Sequence, residues 1–266
     1  MEIRAATIDD HSAYERLFPE LGVDDPLPSR ARFADELVGR MVVAVDGGVV
    51  VGYAISEVLS EVGYVRNIVS APERRRSGIG RALMSSLHAR FAAAGATTWC
   101  LNVKPDNAAA IGLYERCGMR PEYRSCALRL PRAIELPPPP PGVELVPVPP
   151  EADATVEPAL RLLRGQLASA RARPSRHVMQ LVRGDELLGV AVFMASVPGA
   201  FPCRLTDPAH AAAMLGHLRA LAPAEAAFVQ IGVEDDDAFR AEVTKLGAYV
   251  QLEILHMRGP LADARL

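Results

Sequence analysis

A chain of 266 residues, 50% hydrophobic and 23% charged, has ordinary globular composition and room for one large domain or two modest ones. A formal net charge of −3 argues against a nucleic-acid groove spread over the surface, and no apolar run approaches the roughly 18 residues that cross a membrane. Cys100, Cys117, Cys126 and Cys203 form no C-x-x-C pair and no metal-finger spacing, and the opening MEIRAATIDD has no features of a secretory leader. The expectation is a soluble, cytoplasmic protein with buried reduced thiols, no metal, and neither nucleic acid nor membrane as a partner.

Taken in order, EIRAAT predicts a short strand and DDHSAYERLF a capped helix start, with a second helix over Arg30–Val38 stopped at Gly39. MVVAVDGGVVVGYAISEVL reads as a hairpin around an Asp-Gly-Gly turn at 46–48. GYVRNIVS is another strand, leading into PERRRSGIGRALM, where a helix begins with Leu83, Met84, Leu87 and Phe91 on one face. TTWCLNV predicts a buried strand and DNAAAIGLYERCG a helix capped by Asp106 and ended by Gly118. RPEYRSCALRL closes the half as an edge strand, given Pro121. The pattern is an α/β class with a mixed sheet. The proline run of LPPPPPG then predicts a stiff spacer of roughly 15 Å over 136–142, separating domains 1–135 and 143–266.

The second half repeats the first. LNVKPDNAAAIGLYERCGM lies on QIGVEDDDAFRAEVTKLGA without a gap at an offset of 129 (230 minus 101), and Gly118 falls on Gly247. The hairpin VDGGVVVGYA has its counterpart in VRGDELLGVA.

The glycine turn carries the chemistry. The first turn of a helix offers unpaired N–H groups and a partial positive charge, a ready anion site. Gly78 and Gly80 let the backbone come close to an anion, and neighbouring arginines add charge-assisted contacts to phosphate. No Lys-Ser/Thr follows the second glycine, so this is not a P-loop. Leu83 stands where a dinucleotide fingerprint needs its third glycine.

Arg75-x-x-Gly78-x-Gly80, after a strand and Pro72, resembles the pyrophosphate loop of the GNAT superfamily of N-acetyltransferases, whose usual form is Arg/Gln-x-x-Gly-x-Gly/Ala. LNVKPDNAAAIGLYERCGM is similar to that family's second signature, and the resemblance covers about residues 1–130. It implies acetyl-CoA as co-substrate, held by the backbone of Arg76, Ser77, Gly78, Ile79, Gly80 and Arg81 beside Arg75. The strand end Ile68, Val69 and Ser70 would pair with the pantetheine arm, and Asn107 would bond it from the next helix. The two central strands, YVRNIVS and TTWCLNV, would part to admit it.

The reaction so implied is direct attack of an amine, small or peptide-borne, on the thioester. Tyr114 would protonate the leaving sulfur, and an amide near Val69 or Ser70 would support the oxyanion. Arg66 stands where relatives often carry an acidic residue. Glu61 is then the candidate base acting through water, with Glu57 a second and an amine arriving neutral a third alternative. Glu20, Asp24, Asp25 and Glu36 suit a cationic acceptor or a solvated loop equally. His210 and His217 lack a third metal ligand, and EDDD at 234–237 reads as a helix cap. In the repeat, Tyr114 falls on Val243 and Asn107 on Asp236, and Pro208 echoes Pro72 without the arginines and glycines. The second half is therefore expected to be a degenerate GNAT-like domain that packs on the first, completes the acceptor pocket or mediates a homodimer. A non-catalytic acyl-CoA sensor is the alternative function.

Overall fold

The structure, a computed structural model, describes residues 1–265. The first half runs through β1 (Glu2–Ala5), α1 (His11–Leu17), α2 (Arg30–Arg32), β2 (Met41–Asp46), β3 (Val49–Leu59), β4 (Val62–Ser70), α3 (Ile79–Ala93), β5 (Thr98–Val103), α4 (Ala108–Arg116) and β6 (Arg120–Pro131). The second repeats the order with β7 (Val143–Pro147), α5 (Asp153–Ala159), α6 (Gln166–Arg171), β8 (His177–Arg183), β9 (Glu186–Met194), β10 (Gly199–Leu205), α7 (Ala211–Leu221), β11 (Phe228–Glu234), α8 (Asp237–Lys245) and β12 (Tyr249–Pro260). The β2–β3 turn is the anticipated one: Gly47 and Gly48 take φ +59° and +80°, as a two-residue hairpin needs. The second predicted helix is less regular than its pattern suggests. α2 runs into a π-helical turn at Phe33–Leu37 and a 3-10 turn at Val38–Arg40, so Gly39 does not stop it.

Two compact units emerge, and their boundary is not the proline run: one comprises Met1–Glu122 with the chain from Leu255 onward, the other Tyr123–Ile254. The reason lies in the two closing strands. The end of β12 pairs antiparallel with β5, from Leu255↔Val103 to Pro260↔Thr98. β6 pairs with β11, from Ser125↔Glu234 to Pro131↔Phe228. Each half thus hands its last strand to the other half's sheet. The segment Arg120–Leu130 does not close its own half, because both closing strands alternate alike and their pattern leaves the partner open.

In the first unit the order is β1-β2-β3-β4-β5-β12, antiparallel except for parallel β4–β5. α3 and α4 cover one face, packing Leu83, Leu87, Phe91 and Tyr114 with Val65, Trp99, Leu101 and Met257. Tyr14, Leu17 and Phe33 cover part of the other, against Met41, Val43, Tyr53 and Val69. Fully burying such a side chain is worth about 1.5–3 kcal/mol, so Met257, from the far end of the sequence, is a real contributor to this core. The chain enters α1 through Thr7 and Asp10, which bond reciprocally, while Arg4 grips both oxygens of Asp10 at 2.7 Å.

The second unit has the order β7-β8-β9-β10-β11-β6, with a core around Phe193, Met214, Leu218, Ile231, Phe239 and Val243. The chain before Gly142 is no free spacer. Ile134 and Leu136 pack on this core, and the Ile134 carbonyl accepts from Arg219 at 2.6 Å.

Candidate functional site

The site begins with a fault in β4. Against β3 the register runs Ile55↔Asn67 and then Ser56↔Val65, so Arg66 is an extra residue, a bulge. Against β5 the parallel pairing runs from Val62↔Thr98 to Val65↔Leu101 and stops there. The strands part at the bulge, leaving the edge of β4 from Arg66 to Ser70 unpaired on that side. Ala71 N–H donates to Val51 O. The alternation of an antiparallel ladder therefore turns Val69 toward β3 and points the polar groups of Ile68 and Ser70 at the opened edge. A sheet edge opened inside a protein needs an occupant able to pair with it.

Past Ser70 the backbone forms a cradle of amides suited to an anion. Pro72–Arg74 form a 3-10 turn, and Arg76 and Gly78 both take left-handed dihedrals, φ +63° and +87°. Arg75 N–H donates to Pro72 O and Ala82 N–H to Gly78 O. The six amides between them, Arg76 to Arg81, have no acceptor among the described residues. They cluster where α3 contributes its positive end. The two glycines serve different ends. Gly78 is demanded by its dihedral. Gly80 answers to packing, since a Cβ there would stand 2.9 Å from the terminal Leu113 Cδ2 of α4 and that methyl would have to shift.

The arginines divide. Arg75 pairs with Glu20 at 2.5 Å, and Arg74 with Asp46 at 3.3 Å, whereas Arg76 and Arg81 have no ion pair among the described residues. Arg81 lines a cavity of about 1000 Å³ with Leu113, Arg116 and Arg258, so one wall of the cavity belongs to the cradle. Lys104, just past β5, donates to Gly22 O at 2.5 Å. With Arg75–Glu20 it anchors the segment around Pro19–Gly22 to the parted ends of both β4 and β5. Glu20 and Glu36, which pairs with Arg32 at 3.3 Å, are thus engaged rather than gathered as a cation site.

Tyr114 lies on α4, 4% exposed, and burial pushes its phenol well above the usual tyrosine value, so it holds its proton. Asn107, and not the expected Asp106, caps α4, its Oδ1 accepting from Ala110 N–H at 3.1 Å, which leaves its NH₂ as the group available to a ligand. Glu61 does not stand at the parting of the strands. It is exposed in the turn before β4, about 13 Å of strand ahead of the parting, where β4 and β5 are still paired. Glu57 is buried on β3, but Arg66 and Arg40 engage its two oxygens, the latter at 3.5 Å, which disposes it poorly to take a proton.

The face of the sheet opposite α3 and α4 carries a line of polar groups that sequence patterns left unremarked. Arg66 stacks 3.7 Å over the Tyr64 ring. Asn102 Nδ2 donates to Tyr64 Oη at 3.0 Å, and His256 Nδ1 meets Asn102 Oδ1 at 2.8 Å. His256 Nε2 lies 3.5 Å from Glu122, which also reaches Arg258 at 3.9 Å. No local signal could place His256 here, 154 residues from Asn102; only the strand exchange does.

The second unit lacks these features. Pro208–His210 repeat the 3-10 turn of Pro72–Arg74, but α7 begins at Ala211, directly after that turn, with no glycine before it. Asp236 stands where Asn107 does and is likewise a cap, its Oδ1 accepting from Phe239 N–H at 2.8 Å. His217 Nε2 lies 3.1 Å from the Val143 carbonyl. All four cysteines are buried thiols.

Residues 8–119 match the acetyltransferase (GNAT) family. Over 71 residues, 27% of the chain, the sequence is 38% identical to the ribosomal protein bS18-alanine N-acetyltransferases of Escherichia coli K12 and Shigella flexneri, a stretch that spans about half (48%) of those relatives. A GCN5-related N-acetyltransferase from Sphaerobacter thermophilus shares the fold over 98% of this chain and 95% of its own, with TM-score 0.69 and 16% identity. A tandem GNAT protein from the clavulanic acid biosynthesis pathway does so over 98% and 99%, with TM-score 0.65 and 18% identity. At such identities the likeness is one of fold.

Proposed function

Through residues 8–119 the chain belongs to the GNAT acetyltransferase family, and on that premise we propose that its first unit transfers the acetyl group of acetyl-CoA directly to a primary amine. One observation carries the reading: the unpaired amides of Arg76–Arg81 stand at the end of the same strand whose edge opens at Arg66. A diphosphate joined to an extended amide-bearing arm fits both, the diphosphate in the cradle with Arg76 and Arg81, the arm along Ile68 and Ser70.

In the reaction the amine lone pair forms the C–N bond and the C–S bond breaks. Ser70 N–H, turned to the opened edge, suits the oxyanion. Tyr114 gives its proton to the departing sulfur and recovers one from solvent. The relatives' names point to peptide N-termini beginning with alanine as the acceptors to try beside small amines.

Calorimetric titration with coenzyme A, followed by thiol release and product mass with such a panel, tests the proposal. Binding and turnover support it. Absence of any coenzyme A binding overturns it, and binding without turnover on every amine leaves the acyl-CoA sensor instead.

A further inference from the structure

We propose that His256, delivered to the first unit by the last strand of the chain, takes the proton of the attacking amine. This rests on the acetyltransferase reading above and names a residue in that reaction.

Position is the first argument. His256 sits directly opposite Asn102 in the β5–β12 ladder, and Asn102 is the first β5 residue beyond Leu101, where pairing with β4 ends. The imidazole therefore stands at the level where the strands part. Leu101, Val103 and Met257 point toward α3 and α4, so alternation sends Asn102 and His256 to the other face. A thioester held in the gap has the Tyr114 phenol on one side and this imidazole on the other. Direct transfer needs that division, because the proton must leave nitrogen on the side of attack and reach sulfur on the side of departure.

Protonation state is the second argument. Asn102 Nδ2 donates to Tyr64 Oη, so Asn102 Oδ1 is the acceptor facing the ring, and Nδ1 carries the hydrogen. The neutral ring then takes its second proton at Nε2, where the Glu122 carboxylate at 3.5 Å favours the resulting cation. The other carboxylates are placed worse: Glu57 is engaged by two guanidinium groups and Glu61 lies where the strands are closed. On β3, β4, β5 and β12 of this unit the charged or titratable groups sharing the face are Tyr53, Glu57, Tyr64, Arg66, Cys100 and Arg258, with Glu122 beside the ring. In the step itself the amine's N–H pair becomes the nitrogen lone pair and its proton passes to Nε2. The C–N bond forms as C–S breaks, sulfur takes the Tyr114 proton, and the imidazolium returns its proton to solvent.

The test is His256→Gln in the full chain, with coenzyme A titration and the pH dependence of thiol release. The expected result is unchanged coenzyme A affinity, turnover lower by about 100-fold or more, and loss of the acid limb of the rate profile. Glu122→Gln should move that limb to lower pH, since removing the carboxylate makes the imidazolium easier to deprotonate. Turnover and acid limb unaltered in His256→Gln would overturn the inference. If that variant does not fold, an acid limb unmoved by Glu122→Gln overturns it equally. A wild type that binds coenzyme A without turnover fails the acetyltransferase reading itself, whereas turnover indifferent to His256→Gln fails only this one.

Discussion

Gly78 and Gly80, two positions apart, should answer differently to the same methyl group. At φ +87° an alanine at 78 costs about 1–2 kcal/mol in the left-handed conformation. Relaxing that strain would turn the amides of the cradle. Gly78→Ala is thus expected to weaken coenzyme A binding about tenfold or more by calorimetry. Gly80→Ala meets only the terminal methyl of Leu113, which can rotate, so about 1 kcal/mol of stability or less should be lost with binding kept. Equal losses at both sites would contradict the division of labour. Tyr114 belongs to the same scale. Burial keeps its phenol protonated, so under the proposed reaction Tyr114→Phe should slow thiol release about 100-fold while leaving coenzyme A affinity intact. An unslowed variant would remove Tyr114 from the chemistry.

Among the elements, the entry to α1 offers a stability test with a definite pH sign. Asp10 is buried, gripped by Arg4 and bonded to Thr7, and the guanidinium holds its carboxyl below the ordinary value of 3.8. Its contribution is therefore complete above that pH and disappears as pH falls through the folded value. Asp10→Asn should cost about 1–2 kcal/mol in urea melts at pH 7, and the gap to wild type should close in strong acid. A gap independent of pH would refute the ionic account. Element existence was largely legible here. The hairpin at 46–48, the apolar face of α3 and the stop at Gly118 (φ +85°) follow from neighbours a few residues apart, whereas the cap of α4 falls at Asn107, one residue past the expected Asp106. The irregular turns of 33–40 were not, because hydrophobic spacing does not distinguish π and 3-10 turns from an α-helix over so short a run.

At the scale of the molecule, the first unit needs both ends of the sequence. Without residues 255 onward, β5 would present an unpaired edge, and its core would lose Met257 and Leu261, both buried. A fragment of residues 1–135 should therefore aggregate or fail to bind coenzyme A. Residues 1–122 joined by a glycine linker to 254–266 should bind it as the full chain does. Binding by the shorter fragment would show that the exchanged strand is dispensable.

The sequence by itself determined the cradle and the repeat, because a glycine turn opening a helix and the order of strands and helices are properties of adjacent residues. Tertiary structure alone decided which strand lies beside β5, and with it that His256 and not Glu61 stands at the parting. Strand pairing is a choice among distant partners whose alternating patterns are interchangeable, so it is settled only when both sheets are assembled.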